Sequence, residues 1–356
     1  MNILENIKDS VLREDIEKVS QSSVLKELEA GASVLITGAT GLIGSQLTWA
    51  LAYHSLMAEK KLQIITLVRS EEKARAAFGA LIDAGLVKLC VGDIVELPKV
   101  EETVDYIVHG ASATSSRYFV EKPVETIITA LKGTQNVLEL AKEKNVKKVV
   151  YMSSLEVYGT PDNTKEYISE TDYGYIDPMQ VRSSYSEGKR MVETMCVSYA
   201  KEYGVPVVVA RLSQTFGAGV SYEDGRVFAE FARCVIEKRN IVLHTQGKTL
   251  RTYCYLRDAI DAIFCLMLRG ESGQAYNVTN MDTAITIIDM AKMVSGLESD
   301  GKVQVVVDIP EDVSSFGYNP EMVIRLDSRK LQSLGWKPEV GIREMFARLI
   351  ASMSNR

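Results

Sequence analysis

A short apolar run followed by three evenly spaced glycines constrains this chain more than any other feature. Val34–Ile36 is apolar and mostly β-branched, which predicts a buried strand. Gly38, Gly41 and Gly44 follow at three-residue spacing, and apolar residues then recur at helical intervals from Leu42 to Ala52. A strand, a glycine turn and a helix in this order let backbone N–H groups and a helix N-terminus approach a pyrophosphate. The sequence therefore predicts a dinucleotide-binding turn, and a glycine-rich turn without a ligand is the alternative.

The composition is ordinary for a globular protein. The chain has 356 residues, of which 46% are hydrophobic and 25% charged. Its net charge of −6 gives no broad basic surface, so we expect no nucleic-acid partner. No apolar run approaches the roughly 20 residues that span a bilayer, and the charged N-terminus is unlike a secretory signal. We therefore expect no membrane association and a cytoplasmic location.

The cysteines and histidines point to neither a disulfide framework nor a metal site. The five cysteines are scattered without a C-x-x-C pair, and the three histidines lack ligand spacing. This pattern fits a reducing cytoplasm.

Strand-like and helix-like segments alternate along the chain, with Pro123–Lys144 as a long predicted helix. Such alternation predicts βαβ units and an α/β fold, a Rossmann-type doubly wound parallel sheet with helices on both faces. We divide the chain into three parts. Residues 1–30 form an N-terminal helical extension and residues 31–180 a dinucleotide-binding core. In residues 181–356 the last core elements interleave with a smaller C-terminal substrate-binding lobe.

The second predicted strand ends without an acidic residue. In dinucleotide-binding folds an acid at this place binds the ribose 2′-OH. Here the strand ends in Val68-Arg69-Ser70, with Lys73 and Arg75 shortly after. A cationic, hydroxyl-bearing pocket suits a 2′-phosphate. The sequence therefore favours NADP over NAD, and the alternative is a solvated Arg69 with NAD bound through backbone contacts.

Small residues follow the fourth predicted strand, which ends at His109. Gly110, Ala111 and Ser112 would let a cofactor approach the backbone closely. His109 itself has the chemistry of a catalytic acid, but we expect a hydrogen-bonded residue at a strand end.

Hydroxyl, phenol and ammonium groups follow the fifth predicted strand. Ser154 and Glu156 come directly after it, where groups face the ligand crevice of an open α/β sheet. Tyr185 and Lys189 are four residues apart, so on a helix they share one face. The ammonium would favour the phenolate and lower the pKa of Tyr185. Tyr185 would then exchange a proton with a sugar hydroxyl that Ser154 holds in line, while a nicotinamide exchanges a hydride with the same carbon.

Together these motifs resemble the extended short-chain dehydrogenase/reductases of the NAD-dependent epimerase/dehydratase family. Glu156-Val-Tyr-Gly159, Arg182-Ser-Ser-Tyr-Ser-Glu-Gly-Lys-Arg190 and Gly247-Lys-Thr-Leu-Arg251 are similar to the nucleotide-sugar branch. That branch includes UDP-glucuronate decarboxylases, nucleotide-sugar 4-epimerases and 4,6-dehydratases. The resemblance covers nearly the whole chain after residue 31. It implies an enzyme with NAD or NADP, a nucleotide-sugar substrate and a homodimer formed through the helix that carries Tyr185.

The resemblance also implies roles for individual residues. Tyr185, Lys189 and Ser154 would be catalytic, with Glu156 as a further candidate. The cofactor would be bound by Gly38, Thr40, Gly41, Leu42, Ile43, Gly44, Arg69, Ser70, Asp93, Ile94, Gly110, Ala111, Ser112, Tyr185 and Lys189. The substrate would be bound by Ser154, Gln214, Arg226 and Arg251, the two arginines being candidates for a diphosphate because it needs forked cationic donors.

Departures from the family pattern bear on the reaction. Dehydratases and decarboxylases usually carry Asp or Ser after the catalytic Ser or Thr, but here that residue is Leu155, which cannot donate a proton. Leu155 fits 4-epimerases better, whereas Glu156 would act as a base or only buttress a loop. Gln214 replaces a family Asn, which leaves the sugar contacts there open.

We therefore expect oxidation of a sugar hydroxyl, at C4, to a transient ketone that is reduced again, giving an epimer. Four alternatives stay open. The first oxidation could lead to decarboxylation or to dehydration. The chain could instead be an NADPH-dependent 4-ketosugar reductase, or a nucleotide-binding scaffold without catalysis.

Overall fold

A computed structural model describes residues 2–113, 115–297, 301–310 and 321–355. Its strands, in chain order, are β1 (Ser33–Thr37), β2 (Gln63–Val68), β3 (Val87–Val91), β4 (Tyr106–His109), β5 (Lys148–Ser154), β6 (Val207–Leu212), β7 (Gln214–Phe216), β8 (Ile241–Leu243), β9 (Leu250–Tyr255), β10 (Ala275–Val278), β11 (Asn280–Thr286), β12 (Val305–Val307) and β13 (Val323–Ile324). Its α-helices are α1 (Ser10–Ser20), α2 (Leu42–Met57), α3 (Glu71–Asp83), α4 (Ser116–Glu121), α5 (Pro123–Lys144), α6 (Ser183–Tyr203), α7 (Val227–Ile236), α8 (Leu256–Arg269), α9 (Ile287–Ser295), α10 (Arg329–Gln332) and α11 (Ile342–Ser354).

A parallel sheet of seven strands forms the centre of the described chain. Its strand order is β3-β2-β1-β4-β5-β6-β10, and every neighbouring pair runs parallel. The chain runs outwards in one direction from β1 and in the other from β4. The crevice where the order reverses is the place at which such sheets bind ligands. The predicted fold class, a doubly wound α/β sheet, is confirmed.

Helices cover both faces of this sheet because alternate strand residues point to opposite sides. In β1, Val34 and Ile36 belong to a core shared with α2 and α8. Leu35, between them, belongs to a second core shared with α5 and α6. The strand is therefore buried on both faces, as its continuous apolar run predicts. In the described part of the chain, no helix is both long and apolar enough to cross a bilayer.

A smaller lobe is built on β9, which pairs with β7, β11 and β13. Helices α7, α9 and α11 pack on it around a separate apolar core. Within that core the rings of Phe216 and Phe228 are stacked with centroids 4.5 Å apart. Strand β7 directly follows β6, which belongs to the central sheet, and β9 leads directly into α8, which packs on that sheet. The lobe therefore borders the carboxyl end of the central sheet.

The N-terminal segment contains α1 between two short 3₁₀ turns and is tied to the C-terminal half. Buried Asp15 accepts hydrogen bonds from the Tyr255 hydroxyl (2.5 Å), from Arg257 (3.2 Å) and from Arg348 (2.7 Å). Asp9 caps α1 by accepting from the backbone N–H groups of residues 11 and 12. A buried carboxylate thus fixes α1 to the body of the molecule.

Candidate active site

The glycine turn between β1 and α2 has little room for side chains. Gly38 has φ +70°, and a Cβ there would lie 2.8 Å from the carbonyl carbon of Gly110. A Cβ at Gly44 would overlap the carbonyl oxygen of Gly38, so this glycine permits the turn to pack on its own helix. Gly41 is the N-cap of α2 and supplies no side-chain hydrogen bond. The first N–H groups of α2 therefore stay available to an anion.

The other residues of the turn differ in exposure. Thr40 is exposed, whereas Leu42 and Ile43 are partly buried and pack on the core of the smaller lobe. The turn thus lies between the central sheet and that lobe, which suits a cofactor bound next to a second ligand. Its backbone geometry and uncapped helix fit the pyrophosphate of a dinucleotide.

Small residues at the end of β4 meet the end of β1. The Thr37 hydroxyl oxygen accepts hydrogen bonds from the backbone N–H groups of Gly110 and Ala111, both at 3.2 Å. His109 pairs through Nδ1 with Thr37 (2.7 Å) and through Nε2 with Thr134 (3.0 Å). Burial lowers the pKa of His109 to about 3, with Lys189 acting in the same direction. A neutral imidazole with both nitrogens engaged has a structural role here, as the sequence predicted.

The residues predicted near the adenosine end lie at one edge of the sheet. Arg69 is exposed just after β2, and Gly92 after β3 donates its N–H to the Val68 carbonyl at 2.9 Å. Ser70 accepts from the Lys73 N–H at 3.2 Å and so caps α3, which leaves its O–H proton available as a donor. Arg75, by contrast, is engaged by Glu71 and Asp83 on its own helix.

The predicted cofactor-binding residues Asp93 and Ile94 and the small residues after β4 have distinct surroundings. Asp93 is exposed and accepts from the Val95 N–H at 2.8 Å, while Ile94 is buried against α5 at Gly133. Ser112 is partly buried and donates to the neighbouring Ala113 carbonyl. The roles predicted for these residues toward a cofactor stay predictions.

The three groups predicted to be catalytic meet at the end of β5. Ser154 is the last residue of that strand, and its hydroxyl lies near enough to the Tyr185 phenol to lower the pKa of that phenol. Lys189 is only 4% exposed and donates from Nζ to the Met152 carbonyl at 2.8 Å. Its Nζ lies 5.7 Å from the centroid of the Tyr185 ring. The sequence thus predicted this grouping.

The prediction that the pKa of Tyr185 is lowered is wrong for this structure, because burial outweighs the charged neighbours. The pKa of Tyr185 is raised to about 12, mainly by burial and then by the carboxylate of Glu156. The hydroxyl of Ser154 and the charge of Arg182 act in the opposite direction but are outweighed. Burial also lowers the pKa of Lys189 to about 8, although Glu193 raises it. Both shifts have the same cause, because a buried site disfavours any charged form.

Glu156 is held by three hydrogen bonds. Arg182 donates from both terminal nitrogens, to Oε2 at 3.0 Å and to Oε1 at 2.8 Å. Ser186 donates to Oε2 at 2.9 Å. Leu155, next to it, is 4% exposed and packs in an apolar cluster with Ile168 and residues 324 and 326. The side chain of Leu155 is thus enclosed by apolar side chains, and the carboxylate of Glu156 forms an ion pair with Arg182.

Two neighbours of the predicted catalytic residues were missed by the sequence interpretation. The ring of Phe119 stacks on that of Tyr185, with centroids 4.1 Å apart and planes 10° from parallel. Arg182 places its guanidinium carbon 4.9 Å from the Phe119 centroid. Arg182 lay inside a stretch that matched the family, but no role was assigned to it. Phe119 carries no motif signal, because it reaches Tyr185 from another helix.

A buried ion pair behind the site was also missed. Glu193, one turn after Lys189, accepts from Arg211 Nη2 at 2.6 Å and from the Ser153 hydroxyl at 2.6 Å. Arg211 is 1% exposed and also donates to the Tyr158 hydroxyl at 2.9 Å. This network joins β5, β6 and α6 immediately beneath the catalytic residues.

Among the predicted substrate-binding residues, Arg251 has a buried N–H group without a hydrogen-bond acceptor among the described residues. It lies on β9, and Gln214 lies on β7, which pairs with β9. Arg251 contacts the Met322 sulfur at 3.3 Å, whereas its buried Nε has no partner among the described residues. Buried N–H groups are nearly always hydrogen-bonded, so an acceptor from a ligand fits this place. Arg226 is exposed and already pairs with Asp224 at 2.6 Å, and its role toward a diphosphate stays a prediction.

A doubly wound sheet with a glycine turn at its switch point and a Ser–Tyr–Lys group beside it defines a short-chain dehydrogenase/reductase. The sequence profile of the NAD dependent epimerase/dehydratase family matches residues 34–279. The chain belongs to that family and is an enzyme of this class.

Known proteins of several activities are similar to the chain. UDP-glucuronic acid decarboxylase 6 of Arabidopsis thaliana is 29% identical over 320 residues, which cover 90% of this chain and 88% of the plant protein. In fold, UDP-glucose 4-epimerase of Thermotoga maritima matches with TM-score 0.74 at 19% identity, covering 90% of this chain and 98% of its own. dTDP-glucose 4,6-dehydratase of Bacillus anthracis str. Ames matches with TM-score 0.73 at 21% identity, covering 91% and 97%. The predicted family is therefore confirmed.

Proposed function

We propose that the protein acts on a nucleotide sugar. A sugar hydroxyl, at C4, is oxidised to a transient ketone and then reduced again, giving an epimer. The observation that carries this proposal is the meeting of Ser154, Tyr185 and Lys189 at the end of β5. The uncapped N-terminus of α2 and the glycine turn fit the dinucleotide that such chemistry needs. The lobe within residues 181–356 would bind the nucleotide sugar.

Bound NAD or NADP supplies the hydride acceptor and donor. In its phenolate form Tyr185 would accept the proton of the sugar hydroxyl during oxidation, and the resulting phenol would return that proton to the ketone oxygen during reduction. Ser154, whose hydroxyl lies near the phenol, would orient the reacting oxygen. The ammonium of Lys189 stabilises the phenolate while its contact with the Met152 carbonyl fixes its place.

Two features favour epimerisation over elimination. Leu155 offers no acid, and its side chain is enclosed by apolar neighbours. Glu156 would have to release Arg182 and Ser186 before it could act as a base. A transient ketone at this site is therefore more readily reduced than dehydrated, because proton abstraction next to it lacks a prepared base.

Decarboxylation is a second candidate, favoured by a specific observation. The unpartnered Nε of Arg251 suits a carboxylate, which accepts paired N–H donors in a fork. The similar Arabidopsis protein is named a UDP-glucuronic acid decarboxylase. Oxidation of UDP-glucuronate at C4 would give a β-keto acid, which releases carbon dioxide before the ketone is reduced.

Arg69 favours NADP over NAD in this proposal. It is exposed after β2, with the Ser70 O–H available beside it and no acidic residue in the place that binds a ribose 2′-OH. A 2′-phosphate would accept from both side chains.

We also propose a homodimer formed through α5 and α6. These two helices pack on each other and expose Val124, Ile127, Ile128, Met191 and Val197 on their outer surface. Large apolar side chains clustered on adjacent helices are typical of an interface. Light scattering coupled to gel filtration would test this, and a monomer at micromolar concentration would contradict it.

Mass spectrometry of the products tests the proposed reaction. The purified protein is incubated with NAD or NADP and, separately, UDP-glucuronate, UDP-glucose and dTDP-glucose. An epimer keeps the mass of its substrate, whereas decarboxylation loses carbon dioxide and dehydration loses water. A stoichiometric change in the absorbance of reduced nicotinamide would indicate a net reductase instead.

Tyr185→Phe serves as the control in each incubation. It should abolish turnover while the protein still binds its cofactor. Cofactor binding without turnover of any sugar by the unmodified protein would contradict the proposal and favour a binding scaffold. Activity that survives in Tyr185→Phe would also contradict it.

A further inference from the structure

Arg182 links two groups that border the Tyr185 phenol. Its guanidinium forks the carboxylate of Glu156, at 2.8 and 3.0 Å. The same guanidinium lies 4.9 Å from the centroid of the Phe119 ring, which also stacks on the ring of Tyr185. One planar cation therefore holds both an anion and an aromatic ring next to the phenol.

Phe119 is held in place by burial and by a hydrogen bond to its backbone carbonyl. It is 2% exposed, although most of α4 is on the surface. The Ser184 hydroxyl, one residue before Tyr185, donates to the Phe119 carbonyl at 3.0 Å. This bond ties α4 to the first turn of α6 and so helps to hold the Phe119 ring against Tyr185.

The charged groups around Tyr185 act in opposite senses. Glu156, on the 3₁₀ turn after β5, disfavours the phenolate, while Arg182 and the Ser154 hydroxyl favour it. Lys189 lies 5.7 Å from the ring, on the same helix. Because Glu156 and Arg182 are bonded to each other, the guanidinium offsets part of the carboxylate's effect on the phenol as long as the pair is intact.

We propose that Arg182 is a positioning residue for Tyr185, which it orients through Phe119 and balances electrostatically through its pair with Glu156. The proposal rests on the proposed function in taking Tyr185 as the proton-transfer residue. It assigns Glu156 to this pair and not to proton transfer with the sugar. Arg182, Phe119 and Glu156 then act together to position the Tyr185 phenol.

The test compares Glu156→Gln with Arg182→Met. In each variant the pH at which Tyr185 ionises is followed by NMR, with tyrosine isotope-labelled at the ring carbon that bears the hydroxyl. Tyr185→Phe assigns the signal. Removal of the negative charge should move the Tyr185 titration to lower pH by at least about half a unit. Removal of the positive charge should move it to higher pH, or above the range in which the protein stays folded.

The control is Arg117→Met, which removes an exposed guanidinium from α4, paired there with Glu121. It should leave the Tyr185 titration unchanged. A Glu156→Gln titration equal to or above that of the unmodified protein would overturn the proposal, as would an Arg182→Met titration below it. Glu156→Gln keeps the shape of the side chain, so it decides the matter even if Arg182→Met does not fold.

The stacking contact is tested separately by Phe119→Leu and Phe119→Tyr. The leucine variant should lower kcat about tenfold with little change in KM, because a displaced phenol reacts poorly but binds no worse. The tyrosine variant keeps the stack and should retain most of kcat. An unchanged kcat in Phe119→Leu would overturn this part. The NMR titration needs no substrate, so it stays interpretable even if no nucleotide sugar is turned over.

Discussion

The ammonium of Lys189 donates to the carbonyl of Met152 across 2.8 Å, which ties the catalytic helix to the strand that ends in Ser154. The contact thereby fixes the positions of Lys189 and Ser154 relative to each other. The contact explains how a buried lysine is retained, because a charged donor with a fixed acceptor loses less on burial than an unpaired one.

Activity should fall as pH rises through about 8, the pKa to which burial lowers Lys189. The ammonium form is the one that stabilises the phenolate, and it is lost above that pH. The measurement is kcat from neutral to alkaline pH. Lys189→Met should lower kcat about a hundredfold and remove this alkaline decline. A decline that persists in the variant would assign it to another group.

Gly44→Ala should destabilise the protein and weaken cofactor binding. The new Cβ would overlap the carbonyl oxygen of Gly38, so the turn or α2 must shift. We expect a loss of about 1–3 kcal/mol in the free energy of unfolding. The matched control is Gly225→Ala, where a Cβ would meet open space. Urea titrations with and without cofactor compare the two, and equal stabilities would show that the turn can adapt.

Arg69→Ala should reduce affinity for NADP roughly tenfold and leave affinity for NAD nearly unchanged. Only NADP carries the 2′-phosphate that the guanidinium would bind. Arg75→Ala is the control, because Arg75 is engaged by Glu71 and Asp83. Calorimetric titration of both cofactors gives the preference. Parallel loss of both affinities in Arg69→Ala would contradict a 2′-phosphate role.

Arg211→Met should lower the free energy of unfolding by about 3–5 kcal/mol, because it leaves the carboxylate of Glu193 buried without its partner. Arg329→Met removes an arginine from an exposed pair with Asp327 and should change the unfolding midpoint little. Thermal and urea unfolding report the difference. Similar midpoints for the two variants would mean that water reaches Glu193.

The sequence predicted those parts of the site that short spacings encode. The glycine turn depends on residues within one βα unit, and Tyr185 and Lys189 share a helix face through their four-residue separation. Ser154 could be placed because carboxyl ends of parallel strands meet the same crevice.

The features of the site that the sequence did not predict depend on tertiary packing. Phe119 reaches Tyr185 from another helix, and no local pattern relates the two residues. The pKa of Tyr185 was predicted to fall because Lys189 was counted but the extent of burial was not. In the same way, Glu193 and Arg211 are distant in sequence and become partners only when α6 packs on β6.

The carboxylate of Asp15 joins the two ends of the molecule, since Arg348 is one of its donors. During synthesis the first of these residues leaves the ribosome long before the second exists. The contact between α1 and α11 can therefore form only after residue 348 has been synthesised. Removal of either α1 or α11 should therefore eliminate the same contact between Asp15 and Arg348.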